Sequence, residues 1–177
     1  MTKTNPLTTT WWRSLWSECD KFYAHDPKLY IQLQDRHQIN VNLLLLSQWL
    51  DAHHFQLPPE LWSQLHAAIQ AHDEQVLIPY RQHRRACKKT VSQTVYQQML
   101  TKELLLERKT QQYILQQMKP FPLKLAPAVL KKTRLKQAVK QKQTAVHVTK
   151  HQVLNLNDYL SLFDLQATDY PTLMRLT

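Results

Sequence analysis

The 177-residue chain contains no glycine. Average usage near 7% would put about a dozen in a chain of this length, so the absence is informative. Phosphate-cradling loops, dinucleotide fingerprints and nucleophile elbows all place glycine where backbone must approach a ligand or adopt positive φ, and these signatures are missing. The tight primed turns of β-hairpins favour glycine as well, so hairpins are disfavoured. Cysteine is nearly as scarce. Cys19 and Cys87 are the two present, each on an apolar helical face, with no CxxC pair and no secretory framework. A reduced, cytoplasmic setting is the expectation. The N-terminal stretch from Met1 to Leu7 lacks the apolar core of a signal peptide. The longest wholly apolar run, Leu43 to Leu46, falls far short of the roughly 20 residues that span a bilayer, so no membrane partner is expected.

Helical periodicity, by contrast, is abundant. After the Thr8-Thr9-Thr10 cluster, Trp12, Leu15, Trp16, Cys19, Phe22 and Tyr23 recur at three-and-four spacing. Asp26-Pro27 punctuates the chain, a short second helix puts Leu29, Tyr30 and Leu33 inward, and Asn40 or Asn42 can cap the third helix. From Leu43 to Leu50 the pattern is apolar nearly all round, which marks a helix surrounded by others and the centre of the core. Pro58-Pro59-Glu60 suits a helix start, with Leu61, Trp62, Leu65 and Ile69 as its stripe. Pro79 starts or kinks a long helix running to Met118. Pro120, Pro122 and Pro127 then read as a linker. The expectation is an all-α fold: a compact multi-helix bundle of about five helices over residues 1–118, a Pro-rich linker at 119–127, and a basic, less regular C-terminal appendage at 128–177, partly helical or disordered.

Charge divides the chain more sharply. Between Glu107 and Asp158 there is no acidic residue, while Arg108, Lys109, Lys119, Lys124, Lys131, Lys132, Arg134, Lys136, Lys140, Lys142 and Lys150 are basic; against a whole-chain charge of +10, the remainder sums to −1. Such a block attracts polyanions through counterion release, with steep salt dependence, and it also suits a solvated tail that keeps a protein in solution. It lacks the aromatics that stack on single strands. A second basic feature has helical order. Arg81, Arg84, Arg85, Lys88 and Lys89 occupy an arc of about 140° at roughly 100° per residue, opposite Tyr80, Cys87 and Val91. An amphipathic helix showing its wet side explains that arc; docking of phosphate or an acidic protein is the functional alternative, for which the arginine fork is well shaped.

A polar cluster lies beside the most apolar helix: Asp35, Arg36, His37, Asn40 and Asn42, with His25 and Asp26 from the preceding turn. Such groups either brace the corner through an internal network or line a pocket; acid–base work by His37 with Asp35 needs a nucleophile or substrate pocket that the sequence does not reveal. His53-His54, His66 with His72, and His147 with His151 lack partners at accepted zinc spacing, so no metal site is assigned and no cofactor is expected. Trp11, Trp12, Trp16, Trp49 and Trp62 sit at helical spacing with leucines and read as core anchors.

Trp16, the Tyr23-Ala24 turn, the string Leu33-Gln34-Asp35-Arg36-His37 followed by Val41-Asn42-Leu43-Leu44-Leu45, and Pro79-x-Arg81-x-x-Arg84-Arg85 together carry a likeness. Over about residues 10 to 115 the chain resembles the proteobacterial domain of unknown function 2390 family. The resemblance implies a small bacterial cytosolic helical protein with a variable C-terminal region, and it supplies no catalytic residue. The chain departs from the family at Gln38, where glycine is expected: glutamine there means strain of up to about 1 kcal/mol or a different turn, with Asn40 taking the left-handed conformation. Two functional expectations result. One is a non-enzymatic interaction protein docking on RNA, the ribosome or an acidic protein through the basic face and tail, with Arg81, Arg84, Arg85, Lys88, Lys89, Lys131, Lys132, Arg134 and Lys136 as contact residues. The other is a small-molecule binder or enzyme with a polar pocket at Asp35, Arg36 and His37.

Overall fold

The computed structural model describes residues 9–121, 123–125 and 153–175, with side chains from residue 14 onward. The chain divides into two compact units, Met1–Trp62 with Phe121–Thr177, and Ser63–Pro120. Among the described residues there are seven α-helices, one 3-10 turn and a two-residue ladder, so the all-α reading holds while the helix number exceeds the expected five.

The first unit is built round one helix. Helix α1 (Thr9–His25) stops at Asp26, whose carboxylate accepts the Leu29 N–H at 3.2 Å and caps α2 (Pro27–His37), with Pro27 in the first turn where its missing N–H costs nothing. Helix α2 ends on Gln38 in the left-handed conformation, φ 57 and ψ 28, and its N–H bonds to the Gln34 carbonyl. The strained position is therefore Gln38 itself. Asn40 instead caps α3 (Val41–Ala52), accepting the Leu43 N–H at 3.1 Å. Every residue of α3 from Leu43 to Asp51 is buried, as the all-round apolar pattern requires. Leu15 and Cys19 of α1 and Tyr30 and Leu33 of α2 are buried as well. Burial and the flanking carboxylates Asp20 and Glu18 push the Cys19 thiol well up, and it donates to the Leu45 carbonyl at 3.6 Å. It is a packed thiol, not a reactive one.

Strand β1 (Phe55–Gln56) pairs antiparallel with β2 (Lys124–Leu125), Phe55 opposite Leu125. This ladder joins distant segments, so it needs no glycine turn. Helix α4 (Pro59–Gln75) starts in this unit, and helix α7 (Leu154–Ser161) with the 3-10 turn (Ala167–Asp169) completes it. Leu156, Tyr159, Leu160, Ala167 and Leu173 are all buried. Residues 153–175 group with α1–α3, while α5 and α6 group apart from them. The end of the expected linker and most of the expected basic appendage, residues 126–152, lie outside the described residues.

The second unit contains most of α4, then α5 (Leu77–Cys87) and α6 (Gln93–Met118). The expected single helix from Pro79 to Met118 is two. Pro79 sits in the first turn of α5, where a proline is tolerated, and the chain leaves the helix at residues 88–92, where Ser92 Oγ accepts the Val95 N–H at 3.3 Å and starts α6. Within this unit α4 meets α6 through His72 stacked on Tyr113, centroids 5.0 Å apart, and through Thr110 Oγ1 donating to Asp73 at 3.2 Å. Burial pushes Asp73 above the usual carboxylate range.

Candidate functional site

Of the five cations expected on one helical arc, Arg81, Arg84 and Arg85 lie on α5 while Lys88 and Lys89 fall in the turn that follows it, and the structure sorts the five into two sets. Arg81 donates to Glu103 through Nε at 3.3 Å and to Glu107 through Nη2 at 2.6 Å. Arg84 donates to both oxygens of Glu103, and its Nη1 donates to Tyr96 Oη at 2.6 Å with the guanidinium carbon 5.7 Å above that ring. Glu103 keeps only 10% of its side chain in solvent, and the charge it presents holds Arg84 still more firmly protonated. These two arginines and two glutamates zip α5 and α6 antiparallel. Lys102 Nζ lies 5.5 Å over the Tyr80 ring on the same hairpin. Arg85, Lys88 and Lys89, by contrast, are exposed at the end of α5, and no carboxylate pairs with them among the described residues. They also complement the C-terminal end of the helix dipole. Arg108, Lys109 and Lys119 of this unit are exposed too. Lys131, Lys132, Arg134 and Lys136 lie outside the described residues.

The polar corner disperses. Asp35 and Arg36 are exposed on α2, and His37 and Asn42 are half-buried. Asn40 is committed: besides capping α3, its backbone N–H donates to Tyr159 Oη at 3.0 Å, and that hydroxyl donates to the Asn40 carbonyl at 3.3 Å. A shallow depression of about 60 Å³ does occur nearby, lined by Lys21, His25, Asp26, Tyr30, Gln48 and Leu173 among others. Its volume suits about two waters and is several-fold below that of small-molecule pockets. Tyr30 Oη donates to Gln48 Oε1 at 2.9 Å, and Gln48 Nε2 donates to the Leu173 carbonyl at 2.9 Å, so its floor is already paired.

The most buried polar constellation is built from residues that no sequence motif singles out. Asp51 Oδ1 accepts the Asn155 N–H at 2.9 Å and Asn155 Nδ2 at 2.7 Å, and Oδ2 accepts the Leu156 N–H at 2.9 Å. Asn155 then donates to the Phe55 carbonyl at 2.7 Å and accepts the Leu57 N–H at 3.0 Å. Val153, which precedes α7, offers no side-chain cap, so Asp51 supplies from another helix the acceptors that a capping residue would provide. Burial pushes the Asp51 carboxyl up to about 6, the three N–H groups pull it down, and the Asp158 charge raises it again. One signal does exist in the sequence: Ser47, Gln48 and Asp51 interrupt the otherwise apolar stretch from Leu43 to Asp51, which is buried throughout, and buried polar groups require partners.

A third polar contact joins α1 and α3. Glu18 Oε2 accepts from Trp49 Nε1 at 3.1 Å and pairs with His53 Nε2 at 2.7 Å, with the His53 ring tilted against Trp49, centroids 4.2 Å apart. Trp49 and Trp62 are wholly buried, and Trp62 packs on Tyr159 with centroids 5.4 Å apart; Trp11 and Trp12 carry no described side chains. Among the described residues no three His, Cys, Asp or Glu side chains converge as metal ligands, and no helix is long and apolar enough to cross a membrane. His147 and His151 lie outside the described residues. The family described as protein of unknown function (DUF2390) matches residues 14–114, more than half of the chain. No curated protein and no solved structure matches it.

Proposed function

The chain belongs to the DUF2390 family, and on its own geometry we propose a non-enzymatic interaction protein that docks on RNA through the end of the α5–α6 hairpin. The observation that carries this reading is the division of the basic arc. Arg81 and Arg84 are consumed by Glu103 and Glu107, whereas Arg85, Lys88 and Lys89 stand exposed together at one helix end. The acid-free sequence from Arg108 to Lys150 adds further positive charge. Ribosomal RNA offers such a cluster the dense phosphate it would neutralise. The pocket reading has less support, because Asp35 and Arg36 lie in open solvent.

Fluorescence anisotropy with a labelled single-stranded RNA, titrated against salt, tests the proposal on the full chain. Each phosphate contact contributes about −0.7 to the slope of log affinity against log salt. Replacing Arg85, Lys88 and Lys89 with glutamate should therefore weaken binding and flatten that slope by about 2, since three contacts are lost. Absence of binding at low salt, or an unchanged slope in the triple variant, would overturn it.

A further inference from the structure

The C-terminal segment Val153–Arg175 is held to the first unit like a ligand held in a groove. Its apolar anchors Leu156, Tyr159, Leu160 and Leu173 are buried, but its register is set by polar keys on α3. Asn40 meets the Tyr159 hydroxyl, Gln48 takes the Leu173 carbonyl, and Asp51 caps the first turn of α7. Folded cores are dominated by apolar contacts, whereas a short helix placed by a capping carboxylate, an amide and a paired hydroxyl has the anatomy of a recognition interface. The keys belong to the part of the chain that matches the family, residues 14–114; the occupant lies beyond it. Residues 126–152, which carry seven of the basic residues and no acidic one, connect the two. No cation accompanies the buried Asp51 carboxylate among the described residues, so opening the contact lets water solvate a charge that the closed state holds dry.

We infer that the face of α3 bearing Gln48 and Asp51, with the backbone of Asn40 at its start, is a helix-receiving groove, and that Val153–Arg175 is its resident intramolecular ligand, able to leave and rebind while the rest of the unit stays folded. The recognised pattern is Asn-Leu-x-x-Tyr-Leu, from Asn155 to Leu160, with the asparagine side chain entering between Asp51 and the Phe55 carbonyl. Tethering gives the resident segment a high effective concentration, so an outside helix of the same pattern competes poorly until the tether is cut.

The test uses the full chain with a specific protease site inserted between residues 138 and 139. After cleavage, a fluorescein-labelled peptide of residues 151–177 is added, and anisotropy and far-UV circular dichroism are followed together. The peptide should exchange into the cleaved protein, unlabelled peptide should displace it, and the uncut protein should take up far less. A peptide carrying Asn155→Ala should compete at least about 10-fold less well, since it loses a hydrogen bond to a carboxylate and the acceptor for Leu57. Entry of the peptide only where the helical signal of the cleaved protein collapses, or equal competition by the Asn155→Ala peptide, would overturn the inference. The segment would then be an inseparable part of the core.

Discussion

Asn155→Ala in the full chain removes a buried side chain of the first unit that makes three hydrogen bonds. The substitution deletes the 2.7 Å bonds to Asp51 and to the Phe55 carbonyl, and it strips the Leu57 N–H of its acceptor in a place where Leu57 is 1% exposed. An orphaned buried N–H costs about 1–3 kcal/mol, and a hydrogen bond to a charged group contributes about 1.5–3 kcal/mol. Asp51 keeps its two backbone donors, so the carboxylate is not abandoned. The sum is about 2.5–6 kcal/mol, a large share of the roughly 5–15 kcal/mol that holds an ordinary domain together. At about 2–4 °C per kcal/mol, the midpoint should fall by about 5–24 °C. Urea unfolding followed by circular dichroism and by fluorescence of Trp49 and Trp62, both buried in this unit, measures the change. Ser161→Ala is the control on the same helix: that residue is exposed and its hydroxyl donates to the Asp158 carbonyl at 2.8 Å, so it should cost under about 1 kcal/mol. A cost below about 1 kcal/mol for Asn155→Ala, or equality with the control, refutes the claim that this network fixes α7.

The same geometry carries four other outcomes. With its folded-state carboxyl at about 6 against an ordinary 3.8, Asp51 contributes stability that is fully present below about pH 4 and lost as pH rises through 6, about 3 kcal/mol in all at about 1.4 kcal/mol per pH unit. Asp73 and Asp158, also raised, add to that slope, while His66, lowered by burial, opposes it as pH falls below 6.5; Asp51→Asn should remove the Asp51 part of the slope in urea titrations across about pH 4–7. Burial pushes the Tyr30 phenol up to about 12, so the protein should lose stability as pH rises from 10 to 12, and Tyr30→Phe should abolish that loss at a cost near about 1 kcal/mol for the stranded Gln48 oxygen. Gln38→Gly relieves a left-handed glutamine and should raise stability by up to about 1 kcal/mol in the same assay. Glu103→Gln weakens the contacts of Arg81 and Arg84 together and should cost on the order of 2 kcal/mol, and a variant equal to the parent in thermal unfolding would show that α5 and α6 are held by other means.

Much of the fold was legible because its determinants are local. Asp26-Pro27 and Asn40 mark two helix starts through side-chain acceptors a few residues from the N–H groups they satisfy, and of the two asparagines the sequence offers for the third helix it is Asn40 that caps. The apolar run from Leu43 to Leu50 identifies the central helix without reference to anything else. The turn at residues 88–92 was less legible: it holds no glycine or proline, and the apolar spacing of Val91, Val95 and Met99 carries straight across it. The role of Leu154–Ser161 was hidden for a different reason. Its apolar residues were visible, but the carboxylate that caps it lies on α3, about a hundred residues earlier, and no local pattern links Asp51 to Asn155.

The basic face shows the same limit from the functional side. Counting charge along the chain treats Arg81 and Lys88 alike, because both belong to one helical arc. Tertiary pairing separates them: Glu103 and Glu107 sit one turn apart on α6, the spacing that lets two carboxylates face two arginines one turn apart on an antiparallel neighbour. Arginine supplies those pairs because its fork can bond two oxygens at once, and the lysines are left at the helix end, where a hydrated ammonium costs little. The residues best shaped for bidentate phosphate recognition are therefore the ones the hairpin has already used. One arginine and two lysines remain for a partner, and their attraction is mostly long-range charge. Under the proposed RNA docking, such a surface would bind by counterion release with little sequence preference, and specificity would have to come from the shape of the partner around the hairpin end.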